Sequence, residues 1–184
     1  YGLIALFGGD KPFTTKLDGF FTNTDSMGEG ASSDITGLIG QYAHGNEPSH
    51  HVAYLYAYAG EQWKTAEKVR FIMSDFYTDQ PDGIIGNEDC GQMSAWYVMS
   101  ALGFYQVSPG IPVYTLGRPM VNKASMHVKG GIFEIVATNN SPANKYVKEV
   151  KLNGKVLETP FISHSDIING GLSLIHISEP TRRS

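Results

Sequence analysis

The chain is poor in cysteine and arginine: Cys90 stands alone, and only Arg70, Arg118, Arg182 and Arg183 occur. A single cysteine excludes an internal disulfide and any cysteine-built zinc cage. Beside Glu88 and Asp89, which would raise a thiol pKa, it reads as a small buried residue behind a loop and not as a nucleophile. With so few arginines, a formal charge of -4 and no basic stripe, nucleic acid and anionic membrane surfaces find little to hold. No run of about 18 apolar residues is present, so no membrane span is expected, and no signal peptide is visible. What the chain does have is apolar material, 41% of residues, enough for one sizeable core or two small ones.

That material is patterned in two ways. From Gly2 to Leu102 the apolar residues recur at helical spacing. Phe13, Leu17, Phe20 and Phe21 predict a helix capped by Asp10 with Pro12 just inside and ending near Asn23. The stretch from Asp25 to Asp34 reads as loop. Ser49 is the expected cap of a helix bearing Val52, Leu55, Tyr56 and Ala59, stopped by Gly60. Trp63, Ala66, Val69, Ile72, Met73 and Phe76 mark the return helix. A last helix is expected from Gly91 to Leu102, ending at Gly103, with Trp63, Trp96 and the tyrosines 54, 56 and 58 packing the core.

After Pro109-Gly110 the pattern turns to short β-favouring runs, Val113 to Leu116, Ser125 to Val128, Ile132 to Thr138 and Val147 to Leu152. Asn153-Gly154 between apolar runs predicts a two-residue type I′ hairpin, which needs positive φ at both positions. The final segment, Leu172 to Ser184, resembles the read-through of a sequencing adapter and is expected to be disordered. The class is therefore α+β: helices over 1–108, a β module over 109–171, and a chain truncated at both ends.

Two polar clusters interrupt the helices. The first is His44-Gly45-Asn46-Glu47-Pro48-Ser49-His50-His51. Asn46 and Glu47 precede a proline in extended backbone, so their side chains can leave the helix. Carboxylate, amide and backbone oxygens together make a hard-oxygen set suited to Ca2+. Zinc is a weaker reading, because adjacent histidines on a helix diverge by about 100° and only one could join Glu47. The second cluster is Gly86-Asn87-Glu88-Asp89-Cys90-Gly91-Gln92, with two carboxylates side by side at a helix start, where the dipole favours ionisation. An ionised carboxylate is what a general base must be. Adjacent residues cannot both face one point, so one of Glu88 and Asp89 is expected to be the base and the other to orient it, bind substrate or cap the helix.

The chain resembles the family 92 glycoside hydrolases, calcium-dependent exo-acting α-mannosidases. The resemblance lies in Gly2-Leu3-Ile4-Ala5-Leu6-Phe7-Gly8-Gly9, the octapeptide at His44, and the run from Asp82-Gly83 through Gly86-Asn87-Glu88-Asp89-Cys90-Gly91-Gln92-Met93-Ser94-Ala95-Trp96-Tyr97. It continues through Gly103-Phe104-Tyr105 and Pro109-Gly110 and covers Tyr1 to about Gly171.

The resemblance implies part of an (α/α)6 helical barrel followed by a β-sandwich-type module, and hydrolysis of terminal α-mannosides of glycans with inversion. It places the base at Asp89 with Glu88 as partner or alternative. It puts Asn46 and Glu47 on calcium, and His50, Asn87 and Gln92 on the sugar. It also implies an extracellular or periplasmic enzyme. The family's general acid is a glutamate with no counterpart here, since Glu29 lies in a glycine-rich loop, so this polypeptide without its missing N-terminal portion is expected to be inactive. Two rivals share the sequence features, a noncatalytic carbohydrate-binding module and another helical-barrel glycosidase.

Overall fold

The structure is a computed structural model that describes residues 1–25, 32 and 35–178. Glu29 and most of the expected loop from Asp25 to Asp34 fall outside the described residues. The helical half opens with α1 (Gly2–Leu6) and α2 (Asp10–Thr22), the latter entered one residue earlier than expected because Gly9 is the cap. A two-stranded ribbon follows, β1 (Leu38–Ile39) and β2 (Tyr42–Ala43), too short for its period to show in the sequence.

The helix expected from Ser49 is broken. Glu47–Ser49 and Val52–Tyr54 are single 3₁₀ turns, and only α3 (Leu55–Tyr58) is α-helical. Ser49 caps nothing; the residue at the N-cap is Asn46, extended at φ -123, while Glu47 already lies in the turn. Then come α4 (Gln62–Asp75) and α5 (Gln92–Leu102), the second bounded by left-handed glycines Gly91 and Gly103.

Ile4, Phe13, Leu17, Phe21, Tyr42, Tyr54, Tyr56, Val69, Ile72, Met73 and Trp96 form one buried core. Trp63 departs from the expectation and lies 44% exposed, its ring edge-on to Tyr146. Lys64 ties α4 to α2, with Nζ 2.5 Å from an Asp18 oxygen and 2.6 Å from Glu61, while the Tyr56 hydroxyl donates to Asp18 at 2.9 Å.

The second half is strand-rich. β3 (Phe104–Tyr105), β4 (Val113–Leu116) and β9 (Phe161–Ser163) make a three-stranded sheet in the order β3-β4-β9. β5 (Lys123–Val128), β6 (Gly131–Thr138), β10 (Gly171–Ser178), β7 (Tyr146–Leu152) and β8 (Lys155–Val156) make a five-stranded one in that spatial order. A short helix, α6 (His164–Ile168), carries a capping box between Ser163 and Asp166.

The Asn153-Gly154 turn is as expected: Lys151 faces Val156 and Leu152 faces Lys155, with φ 49 and φ 81 at the two turn residues. The expected disorder from Leu172 does not hold through Ser178. Leu172 to Ser178 lie within β10, parallel to β6 and antiparallel to β7, with Ser173, Ile175 and Ile177 facing inward; 179–184 fall outside the described residues. Alternation of Leu, Ile and small polar residues satisfies a period of two whatever its origin.

Phe104, Leu116, Phe133, Ile135, Ile162, Ile175 and Ile177 form the second core. It meets the first through Tyr58, whose ring is 4.8 Å from that of Phe161 and whose hydroxyl accepts from Thr115. Among the described residues no helix is long and apolar enough to cross a membrane.

Candidate active site

The two polar clusters converge because glycines let their backbones touch. A Cβ placed on Gly86 would lie 2.8 Å from Thr36 Oγ1, 3.1 Å from Gly45 Cα and 3.2 Å from the Gly45 carbonyl oxygen. Gly45 itself has no room for a side chain against Thr36. Gly45 N–H donates to the Thr36 carbonyl at 3.1 Å, and Ile85 N–H to Phe76 at 3.2 Å, fixing both loops. Sequence separation thus disappears at one seam between Gly45 and Gly86.

Beyond that seam the carboxylates come together. The Asp89 carboxyl is held above its ordinary value first by its contact with the Glu47 carboxyl, with which it can share a proton when protonated, then by partial desolvation and by the Glu47 charge. Glu47 is held below its ordinary value, first by its own backbone N–H and then by Asp89. Asp89 and Cys90 both have positive φ, 50 and 58, and Gly91 continues the run at φ 95. Two consecutive left-handed non-glycine residues store roughly 1–3 kcal/mol of strain each, and that turn is what aims Asp89 back toward Glu47.

Glu88 does something different. Its two carboxylate oxygens accept from Ser94, at 3.0 Å from the amide and 2.8 Å from the hydroxyl, so it holds the start of α5. Asn87, just before Glu88, is exposed. Cys90, expected to be buried, is exposed, because the left-handed turn carries it outward.

A cleft of about 500 Å³ lies beside the pair, lined by Glu47, His50, His51, Gln92, Tyr105 and Tyr114 among others. A larger depression along α2, about 880 Å³, is lined by Lys11, Thr15, Lys16, Phe20, Asn23 and Gln41 among others, and brings no carboxylate or histidine. Behind Glu47 the cleft wall is a network of hydrogen-bonded polar groups. His50 is 1% exposed, with Nε2 3.0 Å from the His44 carbonyl and Nδ1 3.1 Å from Gln92 Nε2. Burial lowers its pKa.

Behind it, His44 bridges the Tyr42 and Tyr77 hydroxyls, each at 2.7 Å, and burial pushes its pKa down to about 3. Trp96 Nε1 donates to the His50 carbonyl at 3.0 Å, and its ring stands edge-on to His44 at 4.3 Å. Tyr105 and Tyr114 were not singled out in the sequence for the cleft: Tyr105 sits on a two-residue strand that gives no period to read, and the run of Tyr114 reads as a strand without saying what its face lines.

For a metal the donor set is oxygen-rich and incomplete. Asn46 Oδ1 is buried without a hydrogen-bond partner, and the facing Glu47 and Asp89 carboxyls carry like charges. Among the described residues no three His, Cys, Asp or Glu side chains gather as a metal cluster. This suits a hard cation that takes part of its shell from backbone, water or ligand, and does not suit zinc.

A family model for the glycosyl hydrolase family 92 catalytic domain matches residues 1–178. The chain belongs to glycosyl hydrolase family 92. Among solved family 92 structures, an α-mannosidase of Bacteroides thetaiotaomicron in complex with mannoimidazole is 42% identical with a TM-score of 0.86, covering 92% of this chain and 22% of that one. An inverting family 92 mannosidase of the same organism is 35% identical with a TM-score of 0.81, covering 96% of this chain and 25% of that one. A protein of Arthroderma benhamiae described as an uncharacterized secreted glycosidase is 30% identical over 173 residues, 92% of this chain and 20% of that protein. The chain thus spans a fifth to a quarter of the relatives it matches.

Proposed function

We propose that this chain is part of an inverting, exo-acting α-mannosidase that removes terminal α-mannosides from glycans outside the cell or in the periplasm. The observation that carries the reading is the meeting of Glu47 and Asp89 beside a sugar-sized cleft, in a chain similar to mannosidases over nearly its whole length. The secreted description of the Arthroderma benhamiae relative supports the location.

In this reading Asp89 is the general base. Contact with Glu47 raises its carboxyl above the ordinary value, which strengthens it as a proton acceptor. Glu88 is the residue that holds Asp89 in place, since both its oxygens are engaged by Ser94. Inversion needs an acid about 6.5–9.5 Å from the base, with water between. Glu47 meets Asp89 carboxyl to carboxyl and so stands too close for that role.

The acid is therefore assigned to a part of the longer polypeptide beyond these residues. Without it, catalysis falls by about 10²–10⁴-fold, and the 184-residue chain alone is inactive. Asn46 and Glu47 would hold Ca2+, whose chemistry there is to bind and polarise mannose hydroxyls. Asn87, at the mouth of the same loop, and Gln92 and His50, in the cleft wall, complete the sugar surroundings.

We assign residues 1–108 to an (α/α)6 barrel and 109–171 to a β-sandwich-type module. We read 172–184 as adapter-derived sequence, of which 172–178 occupy a strand position. The test of function is Asp89→Asn in the longer polypeptide. Turnover of an α-mannoside should collapse while mannose binding persists. Full turnover would leave only the rival readings, a noncatalytic sugar-binding module or a helical-barrel glycosidase using another base.

A further inference from the structure

The hydrogen-bond donors and acceptors of the cleft wall single out Tyr105. The His44 carbonyl can only accept, so His50 Nε2, 3.0 Å away, carries a hydrogen. A second ring proton would make a buried cation with no carboxylate hydrogen-bonded to it, so Nδ1 is an acceptor. Gln92 must then present its amide nitrogen to it, which fixes the orientation of that amide. The same nitrogen donates its second hydrogen to the Tyr105 hydroxyl oxygen at 3.2 Å. Both amide hydrogens are spent. Neither His50 nor the Gln92 nitrogen has a donor left for a ligand.

The Tyr105 hydroxyl accepts from Gln92 and donates to no protein acceptor among the described residues, while its ring lines the cleft. Tyr54 stacks on that ring, centroids 5.3 Å apart at 24°, and Trp96 lies 6.4 Å away, so the hydroxyl is held in one place. Tyr114, the other tyrosine of the cleft, already has its hydroxyl 3.0 Å from His164 Nδ1.

We propose that Tyr105 orients the substrate by donating its hydroxyl hydrogen to a hydroxyl oxygen of a pyranoside in this cleft. Gln92 and His50 are positioning residues that aim it. A sugar hydroxyl is acceptor and donor at once, and Gln92 Oε1, which receives no hydrogen bond among the described residues, offers the return acceptor. An ether or apolar group would leave both unsatisfied. The inference rests on the reading of the cleft as a glycosidase site.

The experiment is a cycle in the longer polypeptide: wild type and Tyr105→Phe, each assayed on an α-mannoside and on its monodeoxy analogues. One neutral hydrogen bond corresponds to about 2- to 13-fold, so Tyr105→Phe should raise KM by a factor in that range with the pH profile unchanged. For one deoxy analogue the wild type should show the same loss, and Tyr105→Phe should add nothing to it. Gln92→Leu, which removes both donors, should lower kcat/KM and move the ring-nitrogen NMR shifts of His50. Tyr105→Phe should leave those shifts in place.

An unchanged KM for Tyr105→Phe, or losses that multiply for every deoxy analogue, would overturn the assignment. If the wild type hydrolyses no α-mannoside but does hydrolyse another pyranoside, the mannosidase reading falls and the cycle is read on that sugar. If it hydrolyses no pyranoside, both fall.

Discussion

The carboxyls of Glu47 and Asp89, from two different loops, face each other and shift in opposite directions: contact with Glu47 raises Asp89, while Glu47 is lowered first by its own backbone N–H and then by Asp89. The arrangement depends on a glycine seam at Gly45 and Gly86 and on a left-handed turn through Asp89, Cys90 and Gly91. Two like charges brought together on strained backbone are a local cost to folding, of the kind retained at functional sites.

That cost is measurable as a pH-dependent difference in stability. A carboxyl whose folded pKa is raised, as for Asp89, contributes stability below its unfolded pKa and loses it as pH rises through the folded value. Near neutrality the ionised Asp89 is therefore unfavourable. In calcium-free buffer Asp89→Asn should melt slightly above the wild-type chain at pH 7, with the gap closing below about pH 4 and shrinking in high salt. A variant that melts lower at pH 7 would contradict the assigned direction.

Calcium should relieve the same repulsion. In thermal melts of the chain, rising CaCl2 should raise Tm along a saturating curve, worth about 2.7 kcal/mol at a hundredfold excess over Kd, and magnesium should do less. Glu47→Gln should flatten the curve. An equal response in that variant would remove Glu47 from the metal site.

The seam itself can be closed off. Gly86→Ala forces a Cβ against Thr36 and Gly45 and keeps φ at +93, so it should destabilise the chain by roughly 1–3 kcal/mol. Because the strain sits between the loops, Asp89 should lose its elevated pKa in this variant, which side-chain carbon NMR titration reads directly.

Lys64 is the expected electrostatic tie between α2 and α4. Burial raises the Asp18 and Glu61 carboxyls, but the hydrogen bonds from Lys64, with Tyr56 at Asp18, outweigh it and leave both below their ordinary values. Groups with lowered pKa contribute stability above their unfolded pKa and lose it as pH falls through the folded value. Lys64→Met should therefore cost about 2 kcal/mol at pH 7, between exposed and buried pairs, and much less once the medium is acidic enough to protonate both partners. Urea melts at the two pH values would show it.

Much of this was legible in the chain. Strong periodicity placed α2, α4 and α5, the type I′ turn at Asn153-Gly154 announced itself, and the polar clusters stood out against apolar helices. The broken helix after Glu47 was not legible, because the apolar spacing of Val52, Leu55 and Tyr56 fits both 3₁₀ turns and an α-helix over so short a run. The exposure of Cys90 follows from a φ that sequence reports poorly outside glycine. The division of labour between Glu88 and Asp89 needed side-chain partners: which of two neighbours faces Ser94 and which faces Glu47 is decided by the turn.

The most direct test of the central claim is the anomer first released from an α-mannoside by the longer polypeptide, followed by proton NMR before mutarotation. The account predicts β-mannose from the wild type and essentially none from Asp89→Asn. Release of α-mannose, or undiminished β-mannose from Asp89→Asn, would contradict a base at Asp89 acting with an acid supplied from elsewhere.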